Sequence, residues 1–250
     1  MSKCVIIPTY NNDRTLKNVI ERTLCVWEGE IIVVNDGSTD KTAEILREYE
    51  QEERVNVIGY ERNRGKGYAL MKGIEEARRR GYIGAITIDS DGQHYPEDIH
   101  LLAESAEEEE RACMVIGVRN LSAKGMPKGN RFANRFGNFW FEVQTWQKVG
   151  DTQSGFRYYD LEKLPCRKII SNRYEAELEL LVLSAWKGVK LKGVPVRVYY
   201  APRDERVSHF RPVADFMRIF LLNMVLCVAA LLYGYPSMIL NKLTNRRGRK

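Results

Sequence analysis

Short apolar runs alternate with amphipathic stretches over the first 120 residues of the chain. The runs are rich in isoleucine and valine, which is typical of strands buried on both faces of a sheet. They occupy residues 4–8, 30–36, 55–58, 84–88 and 112–119. The stretches between them repeat apolar residues at helical spacing, as Leu16, Val19 and Ile20 do in the first. The pattern predicts an α/β fold with a mostly parallel sheet and helices on both of its faces.

Three more helices are predicted after the fourth strand. They occupy residues 96–110, 136–146 and 175–186. The second of these carries Phe139, Trp140 and Trp146. We expect these three rings in the core, since large aromatic side chains are more often buried than used to stack on a ligand.

Polar residues follow three of the predicted strands at the point where each strand ends. Residues 9–12 follow the first, Asp36 closes the second, and Asp89 and Asp91 close the fourth. The carboxyl ends of parallel strands meet at one edge of the sheet, where open α/β sheets bind ligands. Residues i and i+2 of an extended segment point the same way, so both carboxylates can converge on one Mg²⁺ or Mn²⁺. Taken alone, Asp-Ser-Asp-Gly is also typical of a simple turn.

The first loop contains no glycine, which excludes the usual dinucleotide fingerprint. The segment Asn63-Arg-Gly-Lys-Gly does not match a phosphate-binding P-loop either. Asp36 remains a plausible partner for a ribose or a base. We therefore expect a nucleotide site without a glycine cradle, in which a metal ion offsets much of the diphosphate charge.

Composition and charge narrow the classes of partner. The chain has 250 residues, 44% of them hydrophobic, and can bury a full core. Its net charge of +6 suits a phosphorylated substrate, an anionic membrane or a nucleic acid. Binding of a phosphate backbone needs a basic stripe, whereas acids occupy the ligand edge, so we expect no nucleic-acid partner. The five cysteines contain no Cys-x-x-Cys pair, which argues against a zinc site or a disulfide framework.

Four segments of the amino-terminal half resemble, in order and spacing, the nucleotide-sugar half of family 2 glycosyltransferases with the Rossmann-like GT-A fold. They are Pro8-Thr-Tyr-Asn-Asn, Val33-Val-Asn-Asp-Gly-Ser-Thr-Asp, Asn63-Arg-Gly-Lys-Gly and Asp89-Ser-Asp-Gly-Gln. Within that family, the chain is most similar to dolichyl-phosphate and polyprenyl-phosphate hexosyltransferases of the mannose synthase and glucosyltransferase types.

The resemblance implies roles for individual residues. The nucleotide-binding residues would be Pro8, Tyr10, Asn12, Asp36, Lys66 and Asp89. The ligands of Mg²⁺ or Mn²⁺ would be Asp89, Asp91 and Gln93. The chain departs from the mannose synthases at Asn12, where they usually carry an acid.

Three later segments resemble the acceptor half of the same enzymes. The segment that begins at Arg131 resembles the one in which an arginine binds the lipid phosphate. Asp151-Thr-Gln-Ser-Gly-Phe resembles a block of the glucosyltransferases, and Arg206-Val-Ser-His resembles a lid loop of the mannose synthases. The catalytic residues implied are Asp91, Arg131, Asp151 and Arg206.

The reaction implied is the inverting transfer of glucose or mannose from a UDP- or GDP-hexose to a polyprenyl or dolichyl phosphate. In an alternative, the acceptor is a sugar hydroxyl of a glycolipid or polysaccharide, and Asp151 or Glu175 would serve as the base. A second alternative is a non-catalytic membrane-bound protein that binds nucleotide sugars.

The carboxyl end differs in character from the rest. Residues 219–241 include no charged side chain and are long enough for a membrane-spanning helix. Gly234 and Pro236 are able to break such a helix, so a span, an interfacial helix pair and a buried core helix all remain open. The amino terminus leaves no room for a signal sequence. We expect a cytoplasmic catalytic domain at residues 1–210 and a membrane-associated segment at residues 211–250.

Overall fold

A seven-stranded sheet forms the centre of the molecule. The computed structural model describes residues 2–109, 112–120, 128–165, 169–200 and 211–247. The strands are β1 (Lys3–Thr9), β2 (Ile31–Asn35), β3 (Val55–Gly59), β4 (Gly84–Thr87), β5 (Cys113–Arg119), β6 (Arg157–Asp160) and β7 (Lys190–Val196). Their order across the sheet is β3-β2-β1-β4-β6-β5-β7. Only β6 runs antiparallel to its neighbours, so the predicted mostly parallel sheet is confirmed.

Helices cover both faces of this sheet, as predicted. The described part of the chain contains α1 (Leu16–Val26), α2 (Thr42–Arg47), α3 (Lys66–Arg79), α4 (Ile99–Glu107), α5 (Lys128–Thr145), α6 (Glu175–Trp186), α7 (Pro212–Ala229) and α8 (Tyr235–Arg247). A short 3₁₀ turn, Pro96–Asp98, precedes α4, and a π-helical turn, Ala230–Gly234, joins α7 to α8.

Strands β1, β2, β4 and β5 are apolar over most of their length because their side chains have a helix layer to pack against on each face. In β1, Ile6 belongs to the core cluster that contains α3 and α6. Its neighbour Ile7 belongs to the cluster on the other face, with α1, α2 and α4. Successive strand residues point to opposite faces, so a sheet covered on both sides buries every position. This is why apolar runs were sufficient to predict β1, β2, β4 and β5, and β3 was predicted although Asn56 interrupts its run.

Strands β6 and β7 follow no such pattern. The sequence of β6, Arg-Tyr-Tyr-Asp, opens on the fully buried Arg157. The Arg157 guanidinium donates to the main-chain oxygens of Thr152, Ser154 and Glu177. A buried arginine with satisfied donors is compatible with a central strand, but composition does not reveal such partners in advance.

Helix α5 differs from its prediction in length and in its exposed face. It begins at Lys128, eight residues before the expected start, and ends at Thr145. The expectation that its aromatic rings lie in the core is wrong for two of them, because Phe139 is 58% and Trp146 is 55% exposed. The apolar face of this helix is only partly covered by the rest of the chain.

The apolar carboxyl-terminal helix is confirmed. Among the described residues, one helix is long and apolar enough to cross a membrane, Val213–Thr244, with a mean hydropathy of 2.1 in its most apolar stretch. The helix does not end at Gly234 and Pro236. A π turn at Ala230–Gly234 leads directly into α8, which contains Pro236. At Gly234 a side chain would overlap the Trp186 ring of α6, so the glycine allows the helix to approach the rest of the fold.

Candidate active site

The carboxyl ends of β1, β2 and β4 open into one cleft of about 680 Å³. Its walls come from the segments that follow these strands and from the starts of α3, α6 and α7. The lining residues are Pro8, Thr9, Tyr10, Asn11, Asn12, Asp36, Asn63, Gly65, Lys66, Asp89, Ser90, Asp91, Arg173, Tyr174 and Arg211. The structure therefore brings together all six residues predicted to bind the nucleotide, and Asp91 with them.

The segment after β1 is tied to the segment after β4. Asn12 donates from Nδ2 to the Ser90 hydroxyl at 2.7 Å, and that hydroxyl lies 3.1 Å from the Pro8 carbonyl. The main-chain amide of Asn12 donates to the Thr42 hydroxyl at 3.1 Å. The Oδ1 atom of Asn12 is buried and has no hydrogen-bond partner in the part of the chain that the structure describes. An unpaired buried acceptor is costly, so a donor from a ligand would stabilise this site.

Asp36 holds the turn between β3 and α3. It is almost completely buried and accepts hydrogen bonds from Asn63 Nδ2 at 2.9 Å, the Arg64 amide at 2.7 Å and the Gly65 amide at 2.9 Å. These bonds fix the backbone of the turn that leads into Lys66. In this structure Asp36 shapes the floor of the cleft, in addition to lining it.

Lys66 connects two acids at the base of the cleft. Its Nζ atom lies 2.8 Å from Asp89 Oδ1 and 3.2 Å from Glu177 Oε2. Burial raises the pKa of Asp89, but the charge and hydrogen bond of Lys66 outweigh burial and leave that pKa below its ordinary value. Burial lowers the pKa of Lys66, and the charges of Asp89 and Glu177 more than compensate, so the net shift is upward. Asp89 and Lys66 are therefore both charged at neutral pH.

Asp91 faces a different environment from Asp89. Burial and then the charge of Asp89 raise its pKa to about 6, so ionised Asp91 would be stabilised by a further cation. Its Oδ1 atom accepts the Gln93 amide at 3.0 Å, and this bond defines the turn. Gln93 itself is not among the residues that line the cleft.

The donor set suits a hard divalent ion that shares its coordination with a substrate. Among the described residues, no group of three or more His, Cys, Asp or Glu side chains is arranged to hold a metal. Two carboxylates alone leave most of a six-coordinate shell to other oxygens. Mg²⁺ is commonly bound in this way, by one or two carboxylates together with phosphate oxygens and water. The Asp89 and Asp91 pair fits such an ion.

His94 lies close behind the acid pair but is not suited to carry charge. It is buried, and burial lowers its pKa to about 4, so the ring is neutral at pH 7. The ring packs against Phe156 with a centroid distance of 5.1 Å. His94 therefore packs as a neutral side chain in the interior next to the acid pair.

Asp151 lies outside the lining of the cleft and is fully buried. Its carboxylate accepts from Arg119 Nε at 2.6 Å and Arg119 Nη2 at 3.0 Å, from the Gln153 amide at 3.1 Å, and from Asn134 Nδ2. Burial raises the pKa of Asp151, and the hydrogen bonds and charge of Arg119 lower it further than burial raises it. An ionised carboxylate with every lone pair engaged is better suited to fix its neighbours than to accept a proton.

The contacts of Asp151 set the position of α5. Asn134 bonds Asp151, and Asn138, one turn later, donates to the Gly150 carbonyl at 2.7 Å and accepts from the Thr152 amide at 2.9 Å. Arg131 lies one turn before Asn134 on the same helix. Its Nε atom is buried and has no hydrogen-bond partner among the described residues. The predicted phosphate-binding Arg131 is thus on a helix fixed to the fold by its polar face, and it keeps an unused donor.

Arg206, the remaining predicted catalytic residue, lies outside the described residues, as does the rest of the predicted lid loop.

Comparison with known proteins decides the family. A family model described as glycosyl transferase family 2 matches residues 4–167, about two thirds of the chain. The chain belongs to glycosyl transferase family 2. This glycosyltransferase has the GT-A-like architecture of solved relatives, so the predicted family, fold class and class of enzyme are all confirmed.

Two curated relatives are similar to this glycosyltransferase over most of their length. One is the UDP-N-acetylglucosamine–dolichyl-phosphate N-acetylglucosaminyltransferase of Methanococcus voltae, 29% identical over 214 residues, 78% of this chain and 85% of the relative. The other is the polyprenol monophosphomannose synthase of Mycolicibacterium smegmatis, 28% identical over 202 residues, 77% of this chain and 75% of the relative. Both relatives are named for transfer to a polyprenol-type lipid phosphate.

The fold is similar to that of glucosyl-3-phosphoglycerate synthase from Mycobacterium tuberculosis, solved with Mn²⁺, UDP and glucosyl-3-phosphoglycerate. The TM-score is 0.67 at 20% identity, and the match covers 90% of this chain and 80% of the synthase. At this level of identity the likeness concerns the fold of the transferase and not its substrate.

Several residues of this site were not predicted from the sequence. Arg173, Tyr174 and Arg211 line the cleft, although they are remote in sequence from the acid pair. Glu177, which pairs with Lys66, and Arg119, which pairs with Asp151, were not predicted as site residues either. The signal available for Glu177 was an acid in the first turn of a helix, which the helix dipole explains equally well.

Proposed function

We propose that this glycosyltransferase transfers a hexose, glucose or mannose, from a UDP- or GDP-hexose to the phosphate of a polyprenyl or dolichyl phosphate. The observation that carries the proposal is the position of two charged regions. An acid pair, Asp89 and Asp91, lies in the cleft at the sheet edge, and Arg131 lies on a helix that Asp151 fixes to the same fold. The first region suits a metal-bound diphosphate and the second suits a phosphate acceptor.

The donor would lie in the cleft. Pro8, Tyr10, Asn12 and Asp36 would contact the nucleoside, and Asn12 Oδ1 offers an unused acceptor to it. Mg²⁺ or Mn²⁺ at Asp89 and Asp91, with Gln93 as a further ligand, would offset the charge that grows on the departing diphosphate. UDP is favoured over GDP, since the Methanococcus voltae relative is named for a UDP-sugar.

The acceptor would need no strong base. A phosphate monoester is largely dianionic at neutral pH and supplies its own nucleophilic oxygen. That oxygen forms a bond to the anomeric carbon as the bond to the diphosphate oxygen breaks, with inversion, and the nucleoside diphosphate leaves. Arg131 and Arg206 would hold and orient the acceptor phosphate, since a guanidinium binds phosphate in a bidentate manner. Asp151 would act by fixing Arg119 and α5, because its oxygens are already occupied.

A sugar hydroxyl remains the alternative acceptor, because one observation favours a base. The Oε2 atom of Glu175 is buried and has no hydrogen-bond partner among the described residues. An unpaired carboxylate oxygen near Tyr174, which lines the cleft, is a candidate to accept the proton of a hydroxyl.

The proposed place of the reaction is the cytoplasmic face of a membrane. The apolar helix Val213–Thr244 supports attachment, and the proposed division is a catalytic domain at residues 1–210 and a membrane-associated segment at residues 211–250. The names of the two relatives, which include dolichyl phosphate and a polyprenol, support a membrane location.

One experiment separates the acceptors. Purified protein in detergent would receive Mn²⁺ or Mg²⁺, one radiolabelled sugar nucleotide from a UDP and GDP panel, and either polyprenyl phosphate or a glycolipid. Metal-dependent label in polyprenyl phosphate, lost in Asp91→Asn, is the expected result. Label in the glycolipid alone, lost in Glu175→Gln, would replace the proposed acceptor with a hydroxyl. Absence of transfer to either lipid, with a sugar nucleotide still bound, would exclude both acceptors.

A further inference from the structure

Helix α5 carries an apolar stripe on the surface of the molecule. Phe132, Phe139 and Val143 follow one another at intervals of seven and four residues, so they lie along one side of the helix, and Trp146 directly follows the last helical residue, Thr145. All four side chains are exposed. The opposite side carries Asn134, which bonds the buried Asp151. The helix therefore has a face fixed to the fold and an exposed apolar face.

The exposed face of the carboxyl-terminal helix continues this stripe. Its exposed apolar side chains are Val213, Met217, Leu221, Met224, Val225, Val228, Leu231, Leu232, Tyr233, Ile239, Leu240 and Leu243. The α5 segment and the carboxyl-terminal helix contact each other at three points, and these points follow the same order along both. Phe136 contacts Phe216, Gln144 donates to Asn223 Oδ1 at 3.0 Å, and Trp146 stacks on Tyr235 with 4.3 Å between ring centroids. The result is one apolar surface, made of the α5 stripe and the outer face of residues 213–244.

The charges on this surface are complementary to anionic lipid. Between Val213 and Thr244, all of which the structure describes, the one acidic residue is Asp215, which is buried and pairs with Arg218. The exposed charges of this helix are Arg218 and Lys242, one towards each end of the apolar face. Basic residues that flank exposed apolar helices suit an anionic interface, where lysine and arginine reach phosphates while the apolar side chains enter the acyl region.

The charged residues next to the α5 stripe are also basic, with one exception. Arg135 lies on the helix between the turns of Phe132 and Phe139 and is exposed. Glu142 is the exception, and Lys148 lies 3.1 Å from its carboxylate. The pair carries no net charge, so it does not oppose binding to an anionic surface.

The contacts of the helix with the catalytic fold indicate how it lies. They extend from Phe216 to Asn241, whose Nδ2 donates to the Trp186 carbonyl at 3.1 Å. Gly234 lies against the Trp186 ring between these points. A helix that crossed a membrane would leave these polar and aromatic partners on the surface of the fold, or take them into hydrocarbon, where unsatisfied groups are costly. Contact along the whole length is compatible with a helix in the plane of the interface.

We propose that the α5 stripe and the outer face of residues 213–244 form one membrane-docking surface, which lies flat in the interface of an anionic bilayer. Arg131 directly precedes Phe132, so this placement holds Arg131 at the depth of lipid phosphates. Only the role of Arg131 at this depth rests on the proposed function. Docking to a bilayer requires neither the sugar nucleotide nor the lipid phosphate.

Flotation of the full chain with vesicles tests the surface. The vesicles would contain phosphatidylcholine alone, or with phosphatidylglycerol, and no polyprenyl phosphate. Each of two double variants, Phe139→Ser with Val143→Ser and Val228→Ser with Leu232→Ser, should lower partition into anionic vesicles by about tenfold or more, since each removes apolar area from the interface. Leu101→Ser, at an exposed leucine of α4 on the other sheet face, is the control and should bind as the parent does. Full binding of the α5 variant would overturn the inference.

Spin labels distinguish a flat helix from a spanning one. In a cysteine-free background, labels would replace Leu221, Val228 and Leu240, which are all more than half exposed. A flat helix gives three similar shallow depths from oxygen and nickel-chelate relaxation, whereas a span places Val228 near the bilayer centre and overturns the proposal.

A second copy of the chain is the competing occupant. If light scattering shows a dimer in the absence of vesicles, and both double variants are monomers, the surface would be assigned to self-association instead. Sugar-nucleotide binding by calorimetry, unchanged in all variants, separates failure of docking from failure of the proposed function.

Discussion

Lys66 Nζ lies 2.8 Å from Asp89 Oδ1, so a protein cation already occupies one side of the carboxylate that is proposed to bind metal. Glu177 Oε2 is 3.2 Å from the same nitrogen. The side chains of Lys66 and Glu177 are 19% and 8% exposed. Lys66 therefore compensates two acids that would otherwise repel each other in a poorly solvated space.

Replacement of Lys66 by methionine should destabilise the metal-free protein. Loss of one partner from a largely buried ion pair costs about 2–4 kcal/mol, because the remaining charges lack compensation. The pKa of Asp89 is held low by Lys66, so the stabilising effect exists at neutral pH and is lost on acidification.

Urea unfolding of Lys66→Met should show this loss of stability at neutral pH and a smaller loss in acid. Glu177→Gln, which keeps the bond of Lys66 to Asp89, is the control and should lose less stability. An equal free energy of unfolding for Lys66→Met and the parent would exclude this role.

Metal affinity should depend on the protonation of Asp91. Burial and the charge of Asp89 raise its pKa to about 6, and a proton competes with a metal for the carboxylate. Affinity for Mn²⁺ should therefore fall up to about tenfold for each pH unit below that value and level off above it. The raised pKa also means that ionised Asp91 costs stability, so the metal-free protein should become less stable as pH rises through about 6.

Calorimetric titration with Mn²⁺ and thermal unfolding between about pH 5 and pH 8 check both parts of this prediction. Asp91→Asn cannot ionise and should bind metal weakly at every pH, without the loss of stability. An affinity that does not change over this range in the parent protein would contradict the assignment of Asp91 as a ligand.

Gly155 should be intolerant of a side chain for a local reason. A Cβ atom at this position would lie 2.7 Å from Asp89 Oδ2 and 2.7 Å from Lys66 Nζ. The backbone cannot easily retreat, because the Gly155 carbonyl accepts a hydrogen bond from the Thr87 hydroxyl at 2.7 Å. Gly155→Ala should displace the ion pair and weaken binding of metal and sugar nucleotide by about tenfold or more.

Gly129→Ala is the matched control, since a Cβ there meets no atom within 4 Å. Calorimetric affinities for Mn²⁺ and for the sugar nucleotide measure the effect. Parent-like affinities in Gly155→Ala would mean that the Asp89 and Lys66 pair does not have to stay where the structure has it.

The sequence was sufficient to predict the parts of the site that depend on local pattern. Strands β1, β2 and β4 are apolar on both faces and end in polar residues, so the chain direction alone placed Asn12, Asp36 and Asp89 at one edge. What could not be predicted depends on partners far apart in the chain. Glu177 meets Lys66 across 111 residues, the difference between 177 and 66, and Arg173 reaches the cleft only because α6 packs beside α3.

The exposed aromatic residues of α5 show the same limit. Periodicity predicts that one side of a helix is apolar, but it does not say whether that side faces the core or the surroundings. Phe141 is buried and Phe139 is exposed, although they are two residues apart and equally apolar. The difference is set by the bonds of Asn134 and Asn138 to the segment around Asp151, which rotate the polar side of α5 towards the fold.

Asp151 should act by position and not by proton transfer. Asp151→Asn leaves Arg119 as a buried guanidinium without its carboxylate, so stability should fall by about 3 kcal/mol. If Asp151 only fixes Arg119 and α5, the variant should raise KM for the lipid acceptor more than it lowers kcat, and the pH profile should keep its shape. Disappearance of the acidic limb of the kcat profile would instead identify Asp151 as the base and favour a hydroxyl acceptor.

Arg131→Ala should affect the acceptor and spare the donor. The buried Nε of Arg131 has no partner among the described residues, so its removal leaves no protein group newly unpaired and should cost little stability. If that donor binds the acceptor phosphate, KM for polyprenyl phosphate should rise by about tenfold to a hundredfold, since a charge-assisted bond contributes about 1.5–3 kcal/mol. Affinity for the sugar nucleotide should stay within about twofold of the parent value, because Arg131 does not line the cleft. Arg135→Ala removes an exposed arginine one turn further along the same helix and controls for the general loss of positive charge. Steady-state kinetics in detergent, with the acceptor varied at saturating donor, measures both variants. Equal increases in KM for Arg131→Ala and Arg135→Ala would assign the effect to the charge of the surface, and a loss confined to donor affinity would move Arg131 to the nucleotide side of the site.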